Sequence, residues 1–252
     1  EALAGLIRPD TTLVSVMAVN NEIGSIQPIE AISELLADKP TISFHVDAVQ
    51  ALTKIPTEKY MTERVDFATF SSHKFHGVRG IGFAYIKSGK KITPLLTGGG
   101  QERDYRSTTE NVAGIAATAK ALRLSMEKLD IFRRKTGQMK AVIRQALLDY
   151  PDIFVFSDEE DFAPHILTFG IKGVRGEVIV HAFEDYDIFI STTSACSSKA
   201  GKPAGTLIAM GVDKDKAQSA VRLSLDLEND MSQVEQFLTK LKLIYNQTRK
   251  VR

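Results

Sequence analysis

The apolar, β-branched run TTLVSVMAV (11–19) constrains the fold most. It lacks clean polar alternation, which predicts a strand buried on both faces, as in a parallel sheet. A polar loop, NNEIGSIQP, follows it, and then IEAISELLADK (29–39) places apolar residues at helical spacing. TISFHVDAVQ (41–50) reads as a second strand, VDFATFSSHKFHG (65–77) as a third running into a polar turn, and GIGFAYIK (80–87) as a fourth. Alternating strand and helix signals predict an α/β domain with a mostly parallel sheet.

Beyond it lies a Gly-rich polar loop, GGGQERDYRSTTEN (98–111). Residues 112–150 are helical in pattern, with Gly137 either tolerated or marking a break. A second unit follows, in which IFVFSD, HILTFGI and AVRLSLDL read as strands and EVIVHAFEDY as a helix. SQVEQFLTKLKLIYNQTRK (232–250) has the stripe of a terminal amphipathic helix. The boundary is placed near residue 130, giving units 1–130 and 131–252.

At 252 residues and 43% hydrophobic content, the chain can bury a sizeable core. Its 32 Lys+Arg and 31 Asp+Glu leave a net charge of +1, which argues against bulk electrostatic binding to nucleic acid or to a membrane surface. One cysteine rules out an internal disulfide. The apolar runs fall short of the ~20 residues of a membrane helix. A cytoplasmic enzyme or binding protein is expected.

Ligands of open α/β sheets sit beyond the carboxyl ends of the strands. Four polar clusters are expected there: Asn20-Asn21-Glu22, His45 to Gln50, Ser71-Ser72-His73-Lys74 and the Gly-rich loop. Each alone reads as a cap or a solvated turn, but four in one half-chain suggest a site. Asp47 ending one strand and Lys74 just past the next would converge. A lysine amine for a Schiff base and an aspartate against a pyridinium nitrogen are the minimum needed for pyridoxal phosphate (PLP). Ser71 and His73 are donors beside that lysine.

Together VNNEIGSIQPI, FHVDAVQ, TFSSHKFHGVRGIGFAYI, GGGQERDYRSTTEN, STTSACSSKAGKPAG and AVRLSLDLEND resemble a cysteine desulfurase of the class V aminotransferase superfamily, over nearly the whole chain and in order. The SAC form resembles the group with a long, mobile cysteine loop; the RxGHHC-type segment of the other group is absent. The resemblance implies PLP-dependent transferase fold type I: an incomplete large domain and a smaller C-terminal α+β domain. It also implies roles. Lys74 matches the Schiff-base lysine and Asp47 the partner of the pyridine nitrogen. Asn21 and Gln50 match residues bonding the ring hydroxyl, and Asn21 also borders the substrate. Ser71 and His73 match phosphate ligands. Thr109 matches a threonine reaching the cofactor phosphate of the other subunit, so a homodimer is implied. Arg222 matches the arginine that clamps the substrate carboxylate, and Cys196 the nucleophile that accepts sulfur. A lone cysteine is more often a small core residue, but Cys196 sits among Ser, Thr, Lys and Gly, a poor setting for a core. The loop 191–205 is expected to be mobile.

The implied activity converts L-cysteine to L-alanine and leaves a persulfide on Cys196. That sulfur would pass to an acceptor protein, an iron–sulfur scaffold or a tRNA-thiolation enzyme. Competing readings are a selenocysteine lyase or aminotransferase of the same superfamily, and a cofactor-free fragment. The opening EALAGLI reads as the middle of a helix, so the chain is expected to lack the family's N-terminal portion. That portion supplies a Gly/Thr phosphate turn and a histidine stacked on the ring. His45, His76, His165 and His181 are expected to be structural or surface residues rather than its replacement.

Overall fold

The computed structural model describes residues 2–157, 160–193 and 205–250. The chain divides into two compact units, Glu1–Ala18 with Gln27–Leu129, and Val19–Ile26 with Asp130–Arg252.

The first unit opens with helix α1 (Ala2–Leu6) and contains β1 (Leu13–Met17), α2 (Ile29–Leu35), β2 (Ser43–Asp47), β3 (Phe67–Ser71), β4 (Gly82–Ile86) and α3 (Val112–Met126). Its sheet has the order β1-β2-β3-β4. β1 with β2 and β2 with β3 are parallel, whereas β4 is antiparallel to β3. The expected α/β class and mostly parallel sheet are therefore present. Burial on both faces is not. Val14, Phe44, Val46 and Ala68 are buried on one face, while Ser15, His45, Asp47, Thr69 and Ser71 on the other are half-buried or exposed. The pleat sends alternate residues to opposite faces, and among the described residues only one face is covered.

α2 stops at Leu35, not at residue 39. Pro40 disfavours a helical conformation at the residue before it, and the intervening residues close in turns. The 112–150 stretch is two helices, α3 and α4 (Leu129–Leu148), and the break falls at 127–128 rather than at Gly137. Gly137 lies inside α4, where a Cβ would meet only Pro164, at 3.8 Å, so the packing does not require glycine there. The break comes where the chain passes from one unit to the other.

At the amino end of β3 sits a buried ionic cluster. Asp66, 3% exposed, accepts from Arg64 Nη1 at 2.8 Å and from the Phe44 N–H at 2.9 Å, and pairs with Lys90 Nζ at 3.2 Å. The other nitrogens of Arg64 donate to the Leu36, Lys39 and Ile42 carbonyls. One guanidinium thus ties β3 to the chain leaving α2.

The second unit contains α4, β5 (Ile153–Val155), β6 (Ile166–Ile171), α5 (Gly176–Glu184), β7 (Ser191–Thr192), α6 (Gly205–Ala209), α7 (Lys214–Gln218), β8 (Ala220–Ser224) and α8 (Met231–Lys250). Its sheet is wholly antiparallel, ordered β5-β6-β8-β7. β7, α6 and α7 add to the elements expected from the sequence; all three are too short to carry a periodic signal. Leu167, Phe169 and Ile171 of β6 and Val221 and Leu223 of β8 face a core completed by Met139, Ile143, Phe183, Phe237 and Leu241. The other face of β6 is covered by residues 19–26. Gly24, at φ +83°, lies so close to Ile166 that a Cβ there would be 2.8 Å from the Ile166 Cβ.

Burial pushes the Asp66 carboxyl up, but the Phe44 N–H, Arg64 and Lys90 together outweigh it and hold it below the usual carboxylate value. A carboxyl depressed in the fold stabilises above its unfolded pKa of ~3.9, and that contribution is lost as pH falls through the folded value. Asp66→Asn should destabilise the protein by roughly 3 kcal/mol near neutral pH. It should also flatten the acid limb of stability against pH, measured by urea unfolding between pH 7 and pH 3.

Candidate active site

Parallel pairing brings the carboxyl ends of neighbouring strands to one edge. Asp47 is the last residue of β2, paired with Met17 of β1 and Thr69 of β3. The ladder runs one step past it, with the Ala18 N–H donating to the Asp47 carbonyl at 2.8 Å and the Ala48 N–H to the Thr69 carbonyl at 3.1 Å. Asp47 Oδ1 accepts the Val49 N–H at 3.0 Å, which turns the chain toward half-buried Gln50.

Ser71 ends β3, and the chain enters a 3₁₀ turn, Ser72–Phe75, that carries exposed His73 and half-buried Lys74. Two buried neighbours hold this turn. Phe75 is 1% exposed, and Ser72, fully buried, shares a 2.8 Å hydroxyl–hydroxyl bond with Thr118 of α3. The Gly77 N–H closes the turn on the Ser72 carbonyl at 3.0 Å. A Cβ on Gly77 would lie 1.9 Å from Ser72 Oγ, so glycine is required for that approach. Between the buried anchors Ser72 and Phe75, His73 is exposed and Lys74 only half-buried.

His45 adds a feature that the sequence reading had assigned to structure. It lies two residues before Asp47, hence on the same sheet face. Its Nδ1 bonds Ser15 Oγ at 2.7 Å and its Nε2 bonds Thr69 Oγ1 at 3.1 Å, a polar row across three strands. The period of two between His45 and Asp47 is the signal that could have found it.

Thr109 is exposed, three residues before α3. The Gly-rich loop leading to it passes through left-handed backbone at Glu102, Arg103 and Asp104 (φ 52°, 57° and 68°). The Ser107 N–H donates to the Leu96 carbonyl at 3.0 Å, which holds the stretch before Thr109 beside exposed Leu95 and Leu96.

The structure places Asn21 and Arg222 in the second unit. Asn21 sits on the turn that covers β6, a tertiary placement its position after β1 did not indicate. Half-buried Arg222 pairs with Thr168 of β6 and Ser191 of β7. Its Nη1 donates to the Asn21 carbonyl at 2.7 Å, while Nε is buried with no hydrogen-bond partner among the described residues. A buried, unmet guanidinium N–H is costly, and a carboxylate would satisfy it. Cys196, with most of the expected 191–205 loop, lies outside the described residues, as does Asp158 at the end of the IFVFSD strand.

The structure therefore gathers Asp47, Gln50, Ser71, His73 and Lys74 around the ends of two adjacent parallel strands, and Asn21 and Arg222 on one face of the second sheet. A carboxylate, an amine and hydroxyl and imidazole donors suit a phosphorylated pyridine aldehyde. The unmet Arg222 N–H suits an amino-acid carboxylate. Among the described residues no group of three His, Cys, Asp or Glu could hold a metal, and no helix is long and apolar enough to cross a membrane.

The sequence model of the aminotransferase class-V family matches residues 1–237. A NifS/IcsS protein homolog of Lactobacillus delbrueckii subsp. bulgaricus is 51% identical over 256 residues, covering 100% of this chain and 66% of its own. Cysteine desulfurase IscS of Clostridium botulinum is 37% identical over 254 residues, covering 100% of this chain and 64% of its own. The chain thus spans about two thirds of the length of these relatives. A solved NifS-like protein superposes with a TM-score of 0.86 at 36% identity, over 97% of this chain and 64% of that one. Another, from Rickettsia africae, gives 0.85 at 29% identity, over 97% and 65%. The likeness carries the fold, PLP-dependent transferase fold type I.

Burial pushes the His45 imidazole below its ordinary value, and the Asp47 charge offsets this only in part. His45 should therefore be neutral at neutral pH, with an NMR titration midpoint below ~6.5. Its neutral form favours the fold at and above that value, and the benefit is lost as pH falls toward the folded midpoint. Asp47→Asn should move the midpoint lower still.

Proposed function

The chain belongs to the aminotransferase class-V family, and on that premise we propose that the whole protein is a PLP-dependent cysteine desulfurase, converting L-cysteine to L-alanine and passing the sulfur on as a persulfide. The observation that carries this reading is the convergence of Asp47 and the Lys74 turn on the ends of two neighbouring parallel strands. The relatives named as cysteine desulfurase and NifS-like proteins support it.

When bound, PLP supplies an electron sink for the substrate's α-carbon. Lys74 would hold it covalently and, once exchanged for the substrate amine, carry the proton at that carbon. Asp47 would keep the ring nitrogen protonated. Asn21 and Gln50 would bond the ring hydroxyl, and Ser71 and His73 the phosphate. Arg222 would take the substrate carboxylate, leaving Asn21 next to substrate as well. Cys196 would attack the substrate sulfur as thiolate: an S–S bond forms, the C–S bond breaks, and the carbon retains the electron pair that is later protonated to alanine. Its role rests on the match of the SAC segment.

The working form proposed is a homodimer. Exposed Thr109 would reach the partner's cofactor phosphate, and exposed Leu95, Leu96 and Val112 near it offer apolar area for the interface. The acceptor would be a protein, either an iron–sulfur scaffold or a tRNA-thiolation enzyme. The single cysteine fits the reducing cytoplasm.

Lys74→Ala in the full-length protein should abolish the covalent, borohydride-reducible cofactor link, read by absorbance and intact mass. Persistence of that link would remove Lys74 from its role. Cys196→Ser should retain the spectral response to L-cysteine and lose sulfide release, because a serine hydroxyl is not ionised near neutral pH and holds no persulfide. Sulfide release at the wild-type rate would overturn the desulfurase reading, and transamination in its place would favour an aminotransferase.

A further inference from the structure

Three successive carbonyls of the turn covering β6 are each held by a different side chain. Asn21 O accepts from Arg222 Nη1 at 2.7 Å, Glu22 O from Thr168 Oγ1 at 2.6 Å, and Ile23 O from Ser157 Oγ at 2.6 Å. The turn is tightened from inside, because Asn20 Oδ1 accepts the N–H groups of Glu22 at 2.8 Å and Ile23 at 3.0 Å.

Thr168 and Ser157 stand out chemically. Thr168 is fully buried in a strand whose six residues are all buried, and its neighbours Leu167 and Phe169 are apolar. Valine would fill the same volume without burying a hydroxyl, which is unfavourable unless the hydroxyl is hydrogen-bonded. Ser157 is 1% exposed, and its Oγ also accepts the Thr168 N–H at 2.9 Å. Both hydroxyls spend their proton on the same turn. Thr168 is also the direct cross-strand partner of Arg222. The side chain that fixes the Glu22 carbonyl therefore sits opposite the arginine that uses the adjoining one.

The guanidinium has two usable edges. Holding Nη1 on the Asn21 carbonyl leaves the edge formed by Nε and Nη2, and Nε is the buried nitrogen without a partner. That edge offers two parallel N–H donors, the geometry that receives a carboxylate. If the turn shifts, the Asn21 carbonyl releases Nη1 and the edge loses its aim.

We propose that Thr168 and Ser157 are positioning residues for Arg222: by pinning the Glu22 and Ile23 carbonyls they fix the Asn21 carbonyl, which orients the guanidinium so that its Nε edge receives the substrate carboxylate. This rests on the reading of Arg222 as the carboxylate's partner.

The test uses the full-length protein loaded with PLP, and compares L-cysteine with cysteamine, which has the same amine and thiol but no carboxylate. Binding of each is read from the change in cofactor absorbance. The wild type should bind L-cysteine more tightly, and Arg222→Lys should remove that preference. Thr168→Val should weaken L-cysteine binding about tenfold, the scale of one lost hydrogen bond, and leave cysteamine within about twofold. Thr168→Ser should restore wild-type behaviour. Faster amide exchange at residues 21–23 in cofactor-free Thr168→Val should accompany the loss.

If Arg222→Lys loses the preference and Thr168→Val keeps it, the positioning role is overturned and the Arg222 reading stands. If Thr168→Val weakens both ligands equally, the effect is general damage and the proposal also fails. If the wild type shows no preference, the Arg222 reading falls and takes the proposal with it. Should Thr168→Val not fold, Ser157→Ala is read against the same outcomes.

Discussion

Parallel pairing of β1, β2 and β3 is the constraint on which the first unit depends. Parallel strands cannot be joined by tight hairpins, so the chain must leave at one edge and return to the other. α2 makes the first crossover, and the stretch holding Arg64 makes the second. Every carboxyl end then opens on one edge, where Asp47, Ser71 and the Lys74 turn lie. At the opposite edge lies the Asp66 cluster, whose buried carboxylate is paired with two cations and accepts a backbone N–H. The candidate site and the ionic cluster thus lie at opposite ends of the strands.

The second unit solves a different problem. Its strands are antiparallel, and one face of β6 takes the helices α4, α5 and α8 while the other takes the 19–26 turn. A turn has few internal hydrogen bonds, so its carbonyls must find partners once buried. Arg222, Thr168 and Ser157 supply them in order. The bond that satisfies the Asn21 carbonyl also fixes one edge of the Arg222 guanidinium.

Much of this was legible in the chain. Four strand runs followed by polar clusters announced the α/β order, and the SSHK, HVDAVQ and GGGQER segments located the turns. Other features were not legible. Nothing at Glu127-Lys128 marks the break between α3 and α4, because the cause is the chain's passage between units. The run at 11–19 suggested burial on both sides, yet Ser15 and Met17 are exposed. β-branched composition reports strand character and leaves open what covers each face. β7, α6 and α7 were too short for periodicity to speak.

By itself the sequence determined element type and the residues able to carry chemistry: local backbone preference and the functional group of each side chain travel with the residue, while the fold then tunes its protonation, as at Asp66 and His45. Only the tertiary structure decided that Asn20 to Ile23 serve the second unit rather than the strand they follow. It alone set Thr168 opposite Arg222, 54 positions away, and Ser157 beneath Ile23, 134 positions away. Those pairings depend on which strands meet and in which register. Register is set by summed burial and hydrogen bonding across the sheet, and no local stretch of residues contains it.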